Sequence, residues 1–222
     1  MGLTNIADHG SRSHGSVRSL LFTHTSILAV GAIFGACGPL LTSTGGQVGH
    51  AIHLILSAGW SWAALAFFAG MSGASKLRSA ITGATALLSA VLTYYLTKAG
   101  QGEYLAADLS DPSGQTTHFD WGGFLVKIFV WCFFACLLGP LLGVAGNLSR
   151  NGPYRLPCQL LVPFVAIMET SMRLRNEAAM QGPFVTTMWS ATRVVAVVAA
   201  ATLVSLSALG IWRRRSADRT RN

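Results

Sequence analysis

The chain has 222 residues, of which 51% are hydrophobic and 11% are charged, and its formal net charge is +8. Soluble domains carry about 25% charged residues, so this composition excludes an ordinary soluble domain and a nucleic-acid-binding domain built on a basic surface. It also excludes a disordered chain, because disorder accompanies low hydrophobicity. A single-domain integral membrane protein remains, and the lipid bilayer is its expected partner.

Six apolar stretches are long enough to cross a bilayer, for which a helix needs about 20 residues. They cover residues 20–41, 48–71, 77–97, 122–144, 156–172 and 190–212. The runs are continuously apolar and do not alternate, which predicts helices and not barrel strands. The fifth run is the shortest, and Gln159, Pro163 and Glu169 interrupt it. The predicted fold is all-α, a polytopic transmembrane bundle of about six helices.

Basic residues concentrate in the segments that lie on one side of such a bundle. They are Arg12, Arg18, Lys76, Arg78, Arg150, Arg155, Arg213, Arg214, Arg215, Arg219 and Arg221. Because Lys and Arg in short loops stay cytoplasmic, we expect a cell-membrane protein with both termini in the cytoplasm. Residues 1–19 would be a cytoplasmic segment, residues 20–212 the transmembrane domain and residues 213–222 a basic tail. Arg173 and Arg175 lie on the outer side and are the exception.

A short internal echo, Gly-Pro-Leu-Leu, occurs at residues 38–41 and 139–142. Both copies are predicted to end a helix, since Gly-Pro is a common helix stop. An inverted repeat of three helices plus three, as found in transporters, would also produce this repeated sequence. The two explanations remain open at the level of sequence.

The second predicted span carries a polar stripe of His50, His53, Ser57 and Trp60 on one helix face. Such a stripe is expected to face the interior of the bundle, where His53 would contact a bound molecule. Two histidines without a third ligand do not define a metal site, and the cysteines lack CxxC spacing. The sequence therefore predicts neither a metal nor a cofactor.

Glu169 lies inside a predicted span, unlike the other acidic residues. An acid in hydrocarbon is costly unless it is neutral or paired, and it marks a candidate functional site. Arg173, four residues later on the same helix face, is its expected partner. Arg193 opens the sixth span at the same membrane face, and both arginines are predicted to bind substrate. A structural salt bridge near the interface is the alternative.

Four tryptophans complete the candidate site: Trp60, Trp62, Trp131 and Trp189. Aromatic rings line apolar pockets, and their faces stabilise cations. A protonated acid among such rings is what a proton-initiated cyclisation requires, because the acid starts the reaction and the rings keep water from the cation. These tryptophans are therefore predicted to bind an apolar substrate beside Glu169.

Three segments carry a resemblance: Ala58-Gly-Trp-Ser-Trp62, Leu160-Leu-Val-Pro-Phe-Val-Ala-Ile-Met-Glu169 and Thr186-Thr-Met-Trp-Ser-Ala-Thr-Arg193. The chain resembles, loosely and over its whole length, the small bacterial membrane-bound terpene cyclases of indole-sesquiterpenoid (drimentine-type) pathways. The resemblance implies metal-independent, proton-initiated cyclisation of an apolar prenylated substrate, with Glu169 as the acid and Asp120 as a second carboxylate. The second span departs from this pattern, since it carries histidines where such a cyclase is expected to have an acid.

Two other functions are compatible with the same sequence. In a small proton-coupled transporter, Glu169 would be the coupling group and broken helices would surround a site near the middle of the membrane. In a scaffold subunit without catalysis, the Gly- and Ala-rich helix faces would pack against another protein. The cyclase hypothesis differs from both because it predicts one enclosed apolar cavity that holds Glu169 and the deep tryptophans.

Overall fold

The computed structural model describes residues 8–43, 45–108, 116–176, 180 and 182–219, with burial of side chains described within 24–210. Seven helices and one hairpin lie in these residues: α1 (Asp8–Ser43), α2 (Gly46–Leu56), α3 (Gly59–Met71), α4 (Lys76–Gly100), β1 (Leu105–Ala107), β2 (Thr117–Phe119), α5 (Trp121–Leu148), α6 (Arg155–Asn176) and α7 (Pro183–Arg219). The predicted all-α bundle is confirmed. The side chains of the predicted cytoplasmic segment and basic tail lie outside the described part.

Within the described residues, four helices are each long and apolar enough to cross a membrane: the His24–Thr42 part of α1, α4, α5 and the Pro183–Gly210 part of α7. α2 and α3 are long and apolar enough to cross a membrane only when they are taken together, and a 64° bend separates the two helices. The protein is thus a membrane protein with four or five candidate spans in its described part. α6, the fifth predicted span, is not among them, because its polar residues lower its hydropathy.

The centre of the bundle is a seam between α4 and α5 in which glycines bring the backbones together. A Cβ on Gly143 would collide with the Ser79 carbonyl oxygen, and one on Gly83 would collide with the Gly139 carbonyl oxygen. Small residues permit such close approach in membranes, where packing and not water exclusion drives helix association. This glycine seam, formed by Gly83, Gly139 and Gly143, fixes the distance between α4 and α5.

The first Gly-Pro-Leu-Leu segment lies at a helix end, as the sequence predicts, whereas the second does not. Pro39 and Pro140 both lie inside helices, and α1 continues to Ser43 whereas α5 continues to Leu148. Beside Pro39, side chains satisfy the backbone: Gln101 Nε2 donates to the Pro39 carbonyl oxygen at 3.0 Å, and Thr42 Oγ1 donates to it at 2.6 Å.

Hydrogen bonds between loops close one end of the bundle. Asn147 Nδ2 donates to the Gly73 carbonyl oxygen at 2.9 Å, and Arg150 Nη1 donates to the Met71 carbonyl oxygen at 3.2 Å. The ends of α3 and α5 therefore meet where α4 and α6 begin. We call this the basic end, after its residues Lys76, Arg78, Arg150 and Arg155.

The opposite end carries the hairpin, in which β1 pairs antiparallel with β2 and Leu105 lies opposite Phe119. Behind the hairpin an aromatic cluster forms from Tyr104, Phe119 and Phe124, with neighbouring ring centroids 5.1 to 6.1 Å apart. Burial, reinforced by the negative charge of Glu103, raises the pKa of the Tyr104 phenol. The aromatic cluster is therefore a neutral, largely apolar cap on the bundle.

Candidate functional site

The candidate site begins at the break between α2 and α3. The sequence predicts one continuous helix here, and this prediction is wrong: Ala58 has extended backbone angles (φ −74°, ψ 140°) and separates the two helices. Trp62 Nε1 donates to the Leu56 carbonyl oxygen at 2.8 Å, so the indole satisfies a carbonyl that the break leaves without its helical partner. The alanine at the N-cap position makes no side-chain hydrogen bond to the start of α3.

Glu169 of α6 supplies the missing cap. The backbone N–H of Gly59 donates to Glu169 Oε1 at 3.0 Å, and that of Trp60 donates to Oε2 at 2.8 Å. The first N–H groups of a helix have no intrahelical acceptor, and the helix dipole makes this end favourable for negative charge. The carboxylate is thus held by a helix other than its own.

Arg173 binds the same carboxylate from within α6, as its spacing predicts. Its Nε and Nη2 donate to Glu169 Oε1 at 3.0 and 2.9 Å. Together with the Gly59 amide, these bonds give Oε1 three donors among the described residues, whereas Oε2 has one. The guanidinium carbon lies 4.8 Å from the centroid of the Trp189 ring, which is 1% exposed. The charge pair is therefore fixed by a helix end on one side and an indole face on the other.

A cavity of about 420 Å³ lies beside this pair, between α3, α4, α5 and α6. Its aromatic lining residues are Trp62, Tyr94, Tyr95, Trp131 and Phe134. Aliphatic side chains of α4 and α5 fill in the walls, and Glu169 and Arg173 provide a charged end. Small-molecule sites are of about 300–1,000 Å³, mostly apolar, with a few polar groups. This cavity has both properties.

Of the four predicted tryptophans, Trp62 and Trp131 line the cavity. Trp60 instead lines an apolar groove of about 570 Å³ between α1 and α3. Trp189 lies against Arg173, packed with Ala58. The indole Nε1 atoms of Trp60 and Trp189 are buried without a hydrogen-bond partner among the described residues. The structure thus brings two of the four rings to this cavity and places a third against the arginine.

The other predicted site residues lie apart from the cavity. Asp120 caps α5, where its Oδ1 accepts from the Gly123 N–H at 2.9 Å. His53 Nδ1 lies 3.0 Å from the Gly38 carbonyl oxygen, and the ring borders a separate cavity of about 550 Å³ beside the α1–α2 turn. Arg193 is exposed on α7 and is absent from the linings of these three cavities. The described residues include no group of three or more His, Cys, Asp or Glu side chains arranged to hold a metal.

Two tyrosines of α4 also line the cavity, although the sequence does not predict this role for them. Tyr94 stacks edge-on against Trp62 with ring centroids 5.9 Å apart, and Tyr95 stacks against Tyr94 at 5.2 Å. Their signal in the sequence is an aromatic pair with hydroxyls near the end of an apolar run. Such a pair at a predicted span end is typical of interfacial anchoring, so the pattern alone does not assign it to a cavity.

The chain matches the model of a family described as a family of unknown function, DUF6518, over residues 14–216. None of the curated proteins and none of the solved structures compared with the chain matches it. The family match spans the broken helix, the charge pair and the aromatic lining of the cavity. This chain is a member of the family of unknown function DUF6518.

Proposed function

We propose that this protein is a membrane-embedded terpene cyclase that protonates an apolar prenylated substrate in the cavity beside Glu169. The observation that carries the proposal is that a carboxyl group and several aromatic rings border the same cavity of about 420 Å³. General acid catalysis needs the acid within hydrogen-bond reach of the atom it protonates. A substrate in this cavity would meet that requirement.

Glu169 Oε2 is the proposed proton donor. Oε1 is occupied by three donors, whereas Oε2 accepts only the Trp60 amide among the described residues, which leaves it a lone pair for a proton. In the reaction, the proton moves from Oε2 to an alkene carbon, and a second double bond attacks the resulting cation to close a ring. The product cation then gives a proton back to the Glu169 carboxylate, which restores both the alkene and the acid. The net change is an isomerisation that needs no cofactor, and Arg173 would stabilise the carboxylate left after proton transfer.

The aromatic walls suit the cation that this chemistry forms. Indole and phenol faces attract positive charge at distances up to about 6 Å. Trp62, Tyr94 and Tyr95 present such rings on one wall, and Trp131 and Phe134 present them on the α5 side. An apolar lining also keeps water away from the cation, which water would otherwise quench.

The proposed setting is the cell membrane, with the basic end in the cytoplasm and both termini on that side. α6 would then be the fifth of six crossings: its 22 residues correspond to a length of about 33 Å, enough to span the hydrocarbon core. Glu169 contacts the amides of Gly59 and Trp60, and Arg173 contacts the Trp189 ring. Contacts with protein and not lipid would make a polar crossing helix tolerable.

The test is turnover of a farnesylated indole by the purified protein in liposomes made up in D₂O. The wild type should give a cyclised product that carries solvent deuterium at one carbon. Glu169→Gln should lower the rate at least about 100-fold, the usual contribution of a general acid. Glu103→Gln is the matched control, because Glu103 is also paired with a cation, Lys98 at 2.7 Å, but lies outside the cavity. Absence of product from the wild type, or full activity of Glu169→Gln, would refute the proposal.

A proton-coupled transporter is the second candidate, and the bent α2–α3 pair is the observation that favours it. Discontinuous helices place backbone ends at transporter binding sites, and here the α3 end meets the carboxyl group of Glu169. This hypothesis predicts uptake of the farnesylated indole into the same liposomes when a pH gradient is imposed. Uptake without any cyclised product would favour the transporter, and product without gradient-dependent uptake would favour the cyclase.

A further inference from the structure

We infer that the cavity receives its ligand sideways from the hydrocarbon layer of the membrane, through a gap between α5 and α6. We call this gap the lateral opening and define it by Trp131, Phe134 and Leu138 on α5 and by Glu169 and Arg173 on α6. The ligand is then a lipophile dissolved in the bilayer and not a solute taken from water. The inference rests on the proposed function for the chemistry that follows, but access to the cavity is tested separately below.

The wall of the cavity formed by α4 and the adjoining side of α5 is closed. Leu87 and Val91 of α4 and Ala135 of α5 are buried, and they line the cavity where the glycine seam holds the two helices together. Toward the hairpin, Tyr95 belongs to the same buried cluster as Tyr104. A ligand could not pass on either side without separating packed helices or displacing the aromatic cluster.

The wall formed by the outer edge of α5 is open. Trp131, Phe134 and Leu138 line the cavity and yet are 52%, 43% and 45% exposed. α5 and α6 contact one another sparsely, and near the basic end Gln159 Nε2 of α6 donates to the Ser149 carbonyl oxygen at 3.1 Å. The two helices are therefore tied at one end and separated by the cavity further along.

The depth of the lateral opening places it among acyl chains. At 1.5 Å per helical residue, Glu169 lies about 21 Å along α6 from Arg155, and Gly59 lies about 18 Å along α3 from Met71. Leu138 lies about 15 Å along α5 from Leu148 by the same measure. The hydrocarbon core is about 30 Å thick, so an opening at these depths from the basic end faces lipid tails and not water.

The chemistry of the opening defines the class of ligand. Arg173 is already paired with Glu169 at 2.9 Å, so the polar end of the cavity does not require an anionic ligand. This end of the cavity has room for one polar group of a ligand, such as a hydroxyl or an indole N–H. The isoprenoid chain of the ligand would then lie along Trp131 and Phe134. A neutral prenyl lipid with one polar group fits these contacts, and a water-soluble diphosphate does not.

The experiment is photolabelling of the full-length protein in nanodiscs with farnesol that carries a diazirine on its terminal isoprene unit. We expect labels on peptides containing residues 131–138 and 168–173, and loss of labelling with excess farnesol. Leu138→Trp should slow labelling about tenfold, because the larger ring narrows the opening. Leu141→Trp is the control, since Leu141 is 63% exposed on α5 but does not line the cavity.

Leu138→Phe provides a smaller step at the same site and should give an intermediate rate. Equal labelling rates in Leu138→Trp and Leu141→Trp, or labels confined to the hairpin, would overturn the inference. The result is separable from that of the proposed function, because labelling requires only that farnesol enters the cavity, whereas cyclisation also requires proton transfer. Labelling at the lateral opening without a cyclised product from the wild type would retain the access route and refute the cyclase.

Discussion

The two sides of α5 illustrate opposite uses of one helix. Toward α4, the glycine seam brings backbones so close that Gly139 and Gly143 have no room for a side chain. Toward α6, large side chains such as Trp131 and Phe134 remain about half exposed and border a cavity. On α5, the small residues bring two helix backbones into contact, whereas the large side chains border an open cavity.

The difference follows from the lack of a hydrophobic driving force inside a membrane. Lipid tails solvate an apolar side chain as well as another helix does, so tight packing requires backbones that can approach. The seam has glycines for this purpose, and the α5–α6 side has none at the cavity. A rigid side and an open side on one helix allow a ligand site to exist without loosening the bundle.

The largest expected effect is in the glycine seam. Gly143→Val would drive a branched side chain into the Ser79 carbonyl and should destabilise the fold by about 3 kcal/mol, the upper end for overpacking. Gly210→Val is the control, because no atom lies within 4 Å of a Cβ at Gly210. Unfolding by SDS in mixed micelles would measure both. Equal stabilities of the two variants would contradict the claim that the seam is rigid.

A leucine on each side of the cavity gives a second, smaller contrast. Leu87 and Leu138 both line the cavity, but Leu87 is 5% exposed and Leu138 is 45% exposed. Leu87→Ala should cost about 2 kcal/mol through lost packing. Leu138→Ala should cost less than about 0.5 kcal/mol, as for most exposed positions. The same micelle unfolding assay tests the pair, and a larger cost for Leu138→Ala would reverse the assignment of closed and open walls.

Asp120 gives the smallest expected effect. Its carboxylate caps α5, so Asp120→Ala should cost about 1 kcal/mol, whereas Asp120→Asn should be nearly neutral because asparagine also caps. Neither change should alter farnesol labelling at the lateral opening. If Asp120→Asn instead abolished cyclisation of the farnesylated indole without loss of stability, Asp120 would be the second carboxylate that the family resemblance implies.

The helices were predictable because the apolar runs in this sequence are about as long as a helix that crosses the hydrocarbon core of a bilayer. The break at Ala58 was not predictable, since no proline marks it and its cap comes from Glu169, more than a hundred residues away in the chain. The continuation of α5 past Pro140 was equally hidden, because neighbouring helices and not local sequence decide whether a proline ends a membrane helix.

The candidate site divides in the same way. The pairing of Glu169 with Arg173 followed from spacing within one helix, and the structure contains it. The separation of Trp60 from Trp62 also follows from spacing, because residues two apart on a helix face different sides. That Trp60 meets α1 does not follow, since it depends on how the helices are arranged. Contacts within an element could be predicted from the sequence, whereas the assignment of rings to cavities needed the arrangement of helices.

The capping of α3 by a carboxylate of α6 has a consequence for biogenesis. The ribosome completes α3 long before it reaches Glu169, so during early insertion the amides of Gly59 and Trp60 lack this acceptor. An unsatisfied amide in hydrocarbon costs several kcal/mol, so we expect residues 46–71 to enter the membrane as one unbroken helix. The bend would form only when α6 docks. A nascent chain that stops before Glu169 should therefore lack the cavity. In the full chain, the first half of the bundle would reach its final fold only after α6 has been made.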